Sequence, residues 1–289
     1  MKKIKKILFI NPPLLIKRAS LEILRSFPLG LASMAAVLKK EGFSVQIMDC
    51  FSEGFSNRKQ IGEDLLRIGL SDEELTARVM QYDPDLAGVA IQFSCQLSSA
   101  LQIGALVKSL LKDIVLVAGG NHVTAACQTI PGDIFDWIIM GEGEYRLPKL
   151  IQALNKGDDS ESSGILRASG TADFCAQEYR ADFIEDLDSL PLPQYDLLPL
   201  ERYWQQTGGR RWINIMATRG CPYECVFCSV HSVMGKNIRY RSVEKVIEEL
   251  RFLKQRFHIE DVYFEDDNLT FDMRWAKELF ERIIKEKLD

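Results

Sequence analysis

Between residues 5 and 154, short apolar runs alternate with amphipathic helical segments, and few folds satisfy such a pattern. The runs at 6–10, 44–48, 86–93, 114–118 and 137–140 are mostly apolar and bounded by turn residues, as parallel strands covered on both faces must be. Between them, Leu31, Ala35 and Leu38 share one helical face before Gly42, a helix terminator. Ser71-Asp72-Glu73-Glu74 has capping-box spacing and predicts a helix running to Tyr82, ahead of Asp83-Pro84. Further helices are predicted over 98–112 and 144–154. The expected fold is α/β: a doubly wound sheet of five parallel strands.

Composition shifts at Asn155. Residues 156–164 are polar and turn-rich, and Pro191, Pro193 and Pro199 then disfavour regular helix, so 156–210 reads as an extended linker between a first domain, 1–155, and a second, 211–289. In the second domain a strand is predicted over 213–217, and Val243, Val246, Ile247, Leu250 and Leu253 mark one helical face. A strand over 261–265 and a helix from about Asp272 follow. Two strand–helix units are too few to close a barrel, so these residues are expected to be the N-terminal part of a longer polypeptide.

The 289 residues carry a formal net charge of −5, without the concentrated basic surface that nucleic acid requires. Lys2, Lys3, Lys5 and Lys6 precede only four apolar residues before Asn11-Pro12-Pro13, too few for a signal peptide or a transmembrane segment, so the expected location is cytoplasmic.

Seven cysteines without an export signal do not suggest a disulfide framework. Cys50, Cys95, Cys127 and Cys175 are scattered and read as small buried side chains. The other three lie together in RGCPYECVFCS, residues 219–229, spaced Cys221-x3-Cys225-x2-Cys228 in a loop leaving a predicted strand. Three thiolates on a four-iron four-sulfur cluster leave one iron without a protein ligand, open to a substrate molecule. The alternative is a zinc site completed by His231. His258 reads as a surface or helix-end residue.

This loop resembles the radical S-adenosylmethionine (SAM) enzymes, whose signature is C-x3-C-x-aromatic-C. Phe227 fills the aromatic position, and Arg219-Gly220-Cys221-Pro222-Tyr223 matches the family's lead-in. The resemblance implies that Cys221, Cys225 and Cys228 bind a 4Fe-4S cluster whose open iron is chelated by SAM. Phe227 would lie beside the adenine, and reductive cleavage would yield a 5'-deoxyadenosyl radical. Asp266-Asp267-Asn268 stands where many of these enzymes have Gly-Gly-Glu. It would hold the amino group of SAM or, alternatively, cap the helix near Asp272.

Ligands of open parallel sheets sit beyond the C-terminal strand ends. The loops there are Asn11-Pro12-Pro13, Gly119-Gly120-Asn121-His122 and Gly141-Glu142-Gly143-Glu144. With Pro28-Leu29-Gly30-Leu31 and Ser94, they resemble the flavodoxin-like cobalamin-binding domain fused ahead of many radical SAM domains. That resemblance implies cobalamin contacts from Asn11, Pro12, Ser94, Gly119, Gly120, His122, Gly141, Glu142 and Gly143. The third strand lacks the Asp of a phosphoacceptor receiver, prolines replace a flavin phosphate loop, and there is no Gly-x-Gly-x-x-Gly turn. No Asp-x-His-x-x-Gly motif is present, so cobalt would have no His ligand, and His122 would lie near the corrin or its nucleotide tail or else cap a helix.

The function implied is that of a cobalamin-dependent radical SAM enzyme methylating an unactivated carbon of a small-molecule or lipid-like substrate, with reduced ferredoxin or flavodoxin as electron donor. The alternatives are a cyclase or rearrangement enzyme of the anaerobic chlorophyll-ring type, and a cofactor-binding fragment without turnover.

Overall fold

The computed structural model describes residues 3–17, 26–171 and 182–288, so Cys175 lies outside the described residues. The first unit runs β1 (Lys6–Asn11), β2 (Leu14–Lys17), α1 (Leu29–Lys40), β3 (Ser44–Asp49), α2 (Cys50–Glu53), β4 (Arg58–Ile61), β5 (Leu65–Ile68), α3 (Asp72–Tyr82), β6 (Leu86–Ala90), α4 (Leu97–Leu110), β7 (Val115–Gly119), α5 (Asn121–Ala125), β8 (Trp137–Ile139), α6 (Gly143–Asn155) and β9 (Ile165–Arg167). The second adds α7 (Leu200–Gln206), β10 (Trp212–Ile215), β11 (Thr218–Arg219), α8 (Val230–Val233), β12 (Arg239–Tyr240), α9 (Val243–Phe257), β13 (Asp261–Phe264) and α10 (Met273–Lys285).

The five expected parallel strands form, in the order β3-β1-β6-β7-β8, and β9 adds an antiparallel edge. Alternation along β1 divides the core. Ile7 and Phe9 face Leu31, Ala35, Leu147 and Ile151 of α1 and α6, whereas Leu8 and Ile10 face Leu75, Val79, Ile103 and Val107 of α3 and α4. The capping box forms as its spacing predicts: the Ser71 hydroxyl accepts from the Glu74 N–H at 3.2 Å, and the Glu74 carboxylate accepts from the Ser71 N–H at 2.8 Å.

Three expectations need correction. The strand predicted over 86–93 ends at Ala90, because the Gln96 side chain accepts from the Gln92 and Phe93 N–H groups and turns the chain toward α4. Segments 14–17, 58–61 and 65–68, not anticipated as strands, pair as a small antiparallel sheet in the order β2-β5-β4. Residues 156–210 are more than a linker, since they supply β9 and also α7, whose N-cap is Pro199. Proline is tolerated at a helix start because its missing N–H would have no partner there.

In the second unit β10 and β13 pair in parallel from Trp212↔Asp261 to Ile215↔Phe264. The face predicted for α9 is buried, and Ser242 caps that helix by accepting from the Lys245 N–H. Its core is shared: Phe27, Leu29 and Ala32 of the first unit pack with Tyr195, Tyr203, Trp204, Trp212, Ile213 and Leu250. Cys50 and Cys127 are buried, Cys95 is exposed, and no helix among the described residues is long and apolar enough to cross a membrane.

Candidate functional site

The C-terminal ends of the parallel strands carry the glycine loops. Pro12 is buried, and Asn11 turns its side chain inward, donating to Asp49 Oδ1 at 2.8 Å. Asp49 also accepts from the Tyr203 hydroxyl and the Ser52 N–H. Burial drives the Asp49 carboxyl up to about 6, against the lowering effect of these hydrogen bonds and with a further push from Glu53. The ordinary value is 3.8, so the contribution of this group to stability is complete below about pH 4 and is lost as pH rises through 6. Above that, its ionisation costs up to roughly 3 kcal/mol. Asp49→Asn keeps an acceptor for Asn11 and Ser52. It should remove that fall, leaving stability at pH 7.5 equal to or above wild type in urea titrations; a stability difference that does not change between pH 5 and 7.5 would contradict this.

Gly120 adopts φ +120°, and a Cβ there would sit 2.6 Å from the Ile91 carbonyl, so only glycine fits this turn. The turn delivers His122, itself buried, into a side-chain bridge rather than a helix cap. Its Nδ1 lies 3.0 Å from Ser94 Oγ and its Nε2 3.0 Å from Thr129 Oγ1. Thr129 gives its own proton to the Ala126 carbonyl at 2.7 Å. The proton on His122 therefore resides on Nε2 and points to Thr129, while Nδ1 accepts from Ser94. Burial lowers the pKa of His122, which favours this neutral ring. Ser94 and His122, joined in the sequence reading only by resemblance, are thus in contact, leaving the Ser94 lone pairs as acceptors.

The Gly141–Glu144 loop follows β8. Gly141 has φ +64° and donates its N–H to Thr124 Oγ1 at 2.7 Å. A Cβ at Gly143 would lie 2.4 Å from Met34 Sδ. Glu142, expected at the cobalamin surface, instead faces the second unit with its side chain 2% exposed. Its carboxylate accepts from Arg219 at 2.8 Å, from Arg239 at 2.9 and 3.0 Å, and from the Ile184 N–H at 2.6 Å. Burial alone pushes the Glu142 carboxyl up. The Arg219 charge and the hydrogen bonds from Arg239, Arg219 and Ile184 outweigh it and hold the group below its ordinary value. Glu144 accepts from the other Arg219 nitrogen at 2.7 Å.

Arg219 and Arg239 are paired across β11 and β12, and together they form the feet of the loop that carries the cysteines. At its start the Cys221 N–H donates to Gly235 O at 3.1 Å, and farther along the Cys228 N–H donates to Cys225 O at 2.9 Å. Cys221 and Cys228 are half-buried and Cys225 is exposed; all three thiols are free, and Phe227 is 89% exposed. Among the described residues no three His, Cys, Asp or Glu side chains converge as ligands of a single ion. Helix α8, just after Cys228, packs against α5, which carries His122.

Asp266 does not cap α10. Its carboxylate accepts from the N–H groups of Ala217 and Thr218, tying the end of β13 to the chain that feeds the cysteine loop. Burial raises its pKa despite these bonds. The cap is Asp272, which accepts from the Arg274 and Trp275 N–H groups at 2.9 and 3.3 Å. Asp267 is exposed and Asn268 half-buried, both beside the loop's root. Thr129, Tyr203 and Arg239 were missed by sequence reasoning; no local spacing marks them.

The B12 binding domain family matches residues 24–151, and the Radical SAM superfamily matches residues 215–288. The chain belongs to the B12-binding radical SAM family. An uncharacterised methyltransferase of Pyrococcus horikoshii is 31% identical over 99% of the chain, which spans 59% of that relative. Cytidylyl-2-hydroxyethylphosphonate methyltransferase of Streptomyces wedmorensis is 30% identical, again over 99% of the chain and 59% of its own length. The chain thus covers under two thirds of both. Among solved structures, the radical SAM methyltransferase TsrM of Kitasatospora setae, with cobalamin and a [4Fe-4S] cluster bound, has a TM-score of 0.68 at 18% identity over 98% of the chain and 53% of its own. This likeness shows the fold of a B12-binding radical SAM enzyme.

Proposed function

We propose that this chain provides the cobalamin and cluster sites of a radical SAM enzyme, most directly one that methylates an unactivated carbon of a small-molecule or lipid-like substrate in the cytoplasm. The observation that carries the reading is the packing of α8 on α5, which sets the three-cysteine loop beside the glycine-lined edge of the first sheet. Cys221, Cys225 and Cys228 suit a cluster: they are free thiols on one accessible loop. Gly119, Gly120 and Gly141 suit a broad planar cofactor, because backbone without side chains lines the edge. Ser94 offers acceptor lone pairs there, and Asp267 and Asn268 offer polar groups beside the cysteine loop.

Bound there, the cluster supplies the electron that cleaves SAM, and cobalamin supplies the methyl carrier. The protein's part is to hold both ligands close and to exclude water from the space between them. A reduced ferredoxin or flavodoxin is the proposed donor, and the exposed Phe227 and Tyr223 mark the open side of the loop.

After anaerobic reconstitution the chain should hold about four irons, and Cys228→Ala should hold less than about one. Zinc in place of iron, or equal iron in both proteins, would refute the cluster assignment. With methyl-labelled SAM and the full-length enzyme, label in the product supports methylation; product without label would support the cyclase reading.

A further inference from the structure

We infer that Glu142 is a positioning residue: from the first domain it grips both feet of the cysteine loop and so sets the distance between the loop and the ligand edge of the sheet. This rests on the functional reading above and goes beyond it, because the resemblance placed Glu142 among the cobalamin contacts, whereas its carboxylate pairs with Arg219 and Arg239.

The geometry is convergent. The two carboxylate oxygens receive Arg219, two residues before Cys221, and Arg239, its partner across β11 and β12. Arg239 also donates to the carbonyls of Ile184 and Met234, and the Ile184 N–H returns to Glu142. Arg146, itself buried, holds the Glu142 backbone carbonyl at 3.2 Å and reaches the carbonyls of Ser163 and Asp182. Glu144 occupies the second hand of Arg219. One residue thereby gathers the loop after β8, the segment at 182–184 and both ends of the cysteine loop.

Such a cluster is a poor way to gain stability alone. Taking each ion out of water costs several kcal/mol, and well-packed apolar side chains would do as well or better. Directional charge-assisted hydrogen bonds supply a single geometry instead, which an apolar contact does not. A second tie lies elsewhere: Ser26 donates to Glu265 Oε1 at 2.5 Å, and Tyr203 bridges the Ser26 carbonyl and Asp49. Two separate ties suppress the rotation that one would permit.

The test uses Glu142→Gln and, because loss of a buried charge can unfold the chain, Glu142→Asp, which keeps the charge and shortens the reach. In the cofactor-free chain, amide hydrogen exchange at 219–221 and 235–241 should accelerate at least about tenfold in either folded variant, with α4 and β1 unchanged. In reconstituted protein, the dipolar distance between the reduced cluster and cob(II)alamin should broaden or shift while iron content and cobalamin affinity stay at wild-type level. Unchanged exchange and distance would overturn the inference. So would a cobalamin affinity reduced tenfold at unchanged distance, which would return Glu142 to the cofactor. Wild-type protein that loads neither cofactor refutes the functional reading instead, and the exchange measurement still decides the role of Glu142.

Discussion

Gly220→Ala is expected to destabilise the second unit by more than about 2 kcal/mol and to abolish most iron incorporation. Gly220 holds φ +98°, a conformation that costs an L-residue roughly 1–2 kcal/mol. The added Cβ would also lie 2.4 Å from the Asn237 carbonyl oxygen and 3.2 Å from that of Gly235. Both obstacles are backbone and cannot rotate aside, so the loop must open, and the Cys221 N–H bond to Gly235 goes with it. Gly208 is the control. It has φ +77° with nothing within 4 Å of an added methyl, so Gly208→Ala should show only the backbone cost, roughly 1 kcal/mol, and keep its iron. Urea unfolding and iron content after anaerobic reconstitution separate the two; matching behaviour would mean that the loop does not have this shape.

Removing Glu249 should be the costliest single change in the second unit, at about 3–5 kcal/mol for Glu249→Ala. Its side chain is 1% exposed and pairs with Arg241, whose side chain is 14% exposed. Tyr195 donates its hydroxyl to the other Glu249 oxygen. Without the carboxylate, Arg241 is left charged in the interior and Tyr195 loses its acceptor. The damage should reach the cysteine loop, since the Arg241 N–H bonds the Ala217 carbonyl and its own carbonyl accepts from the Trp275 indole. Arg241→Leu in the same chain removes the orphaned charge, so the double variant should recover part of the loss. A double variant less stable than Glu249→Ala alone would show that the pair is not the source of the cost.

What could be read from the sequence depended on how near each residue's partners lie along the chain. The capping box at Ser71, the apolar face of α9 and the five apolar strands arise from contacts within a few residues or from simple alternation, and they were legible. The thiol spacing and Gly220 also belong to this class. Strand β9 was not, because three residues carry too little pattern to stand out in a polar loop. Asp266-Asp267-Asn268 was a credible helix cap by type and position, and only the path of the chain assigned the cap to Asp272 and bound Asp266 to the root of the cysteine loop.

The five parallel strands, the spacing of the three cysteines and the glycine turns at the sheet's edge were determined by the sequence itself, since each is a property of local residue type and spacing. The tertiary structure alone decided what the polar and charged residues do. Glu142 meets partners 77 and 97 residues away, Asn11 one 38 residues away and Tyr203 one 154 residues away. A carboxylate's sequence neighbours do not reveal whether it meets a ligand or an arginine; burial and a distant positive charge do, and both exist only once the two units have packed together.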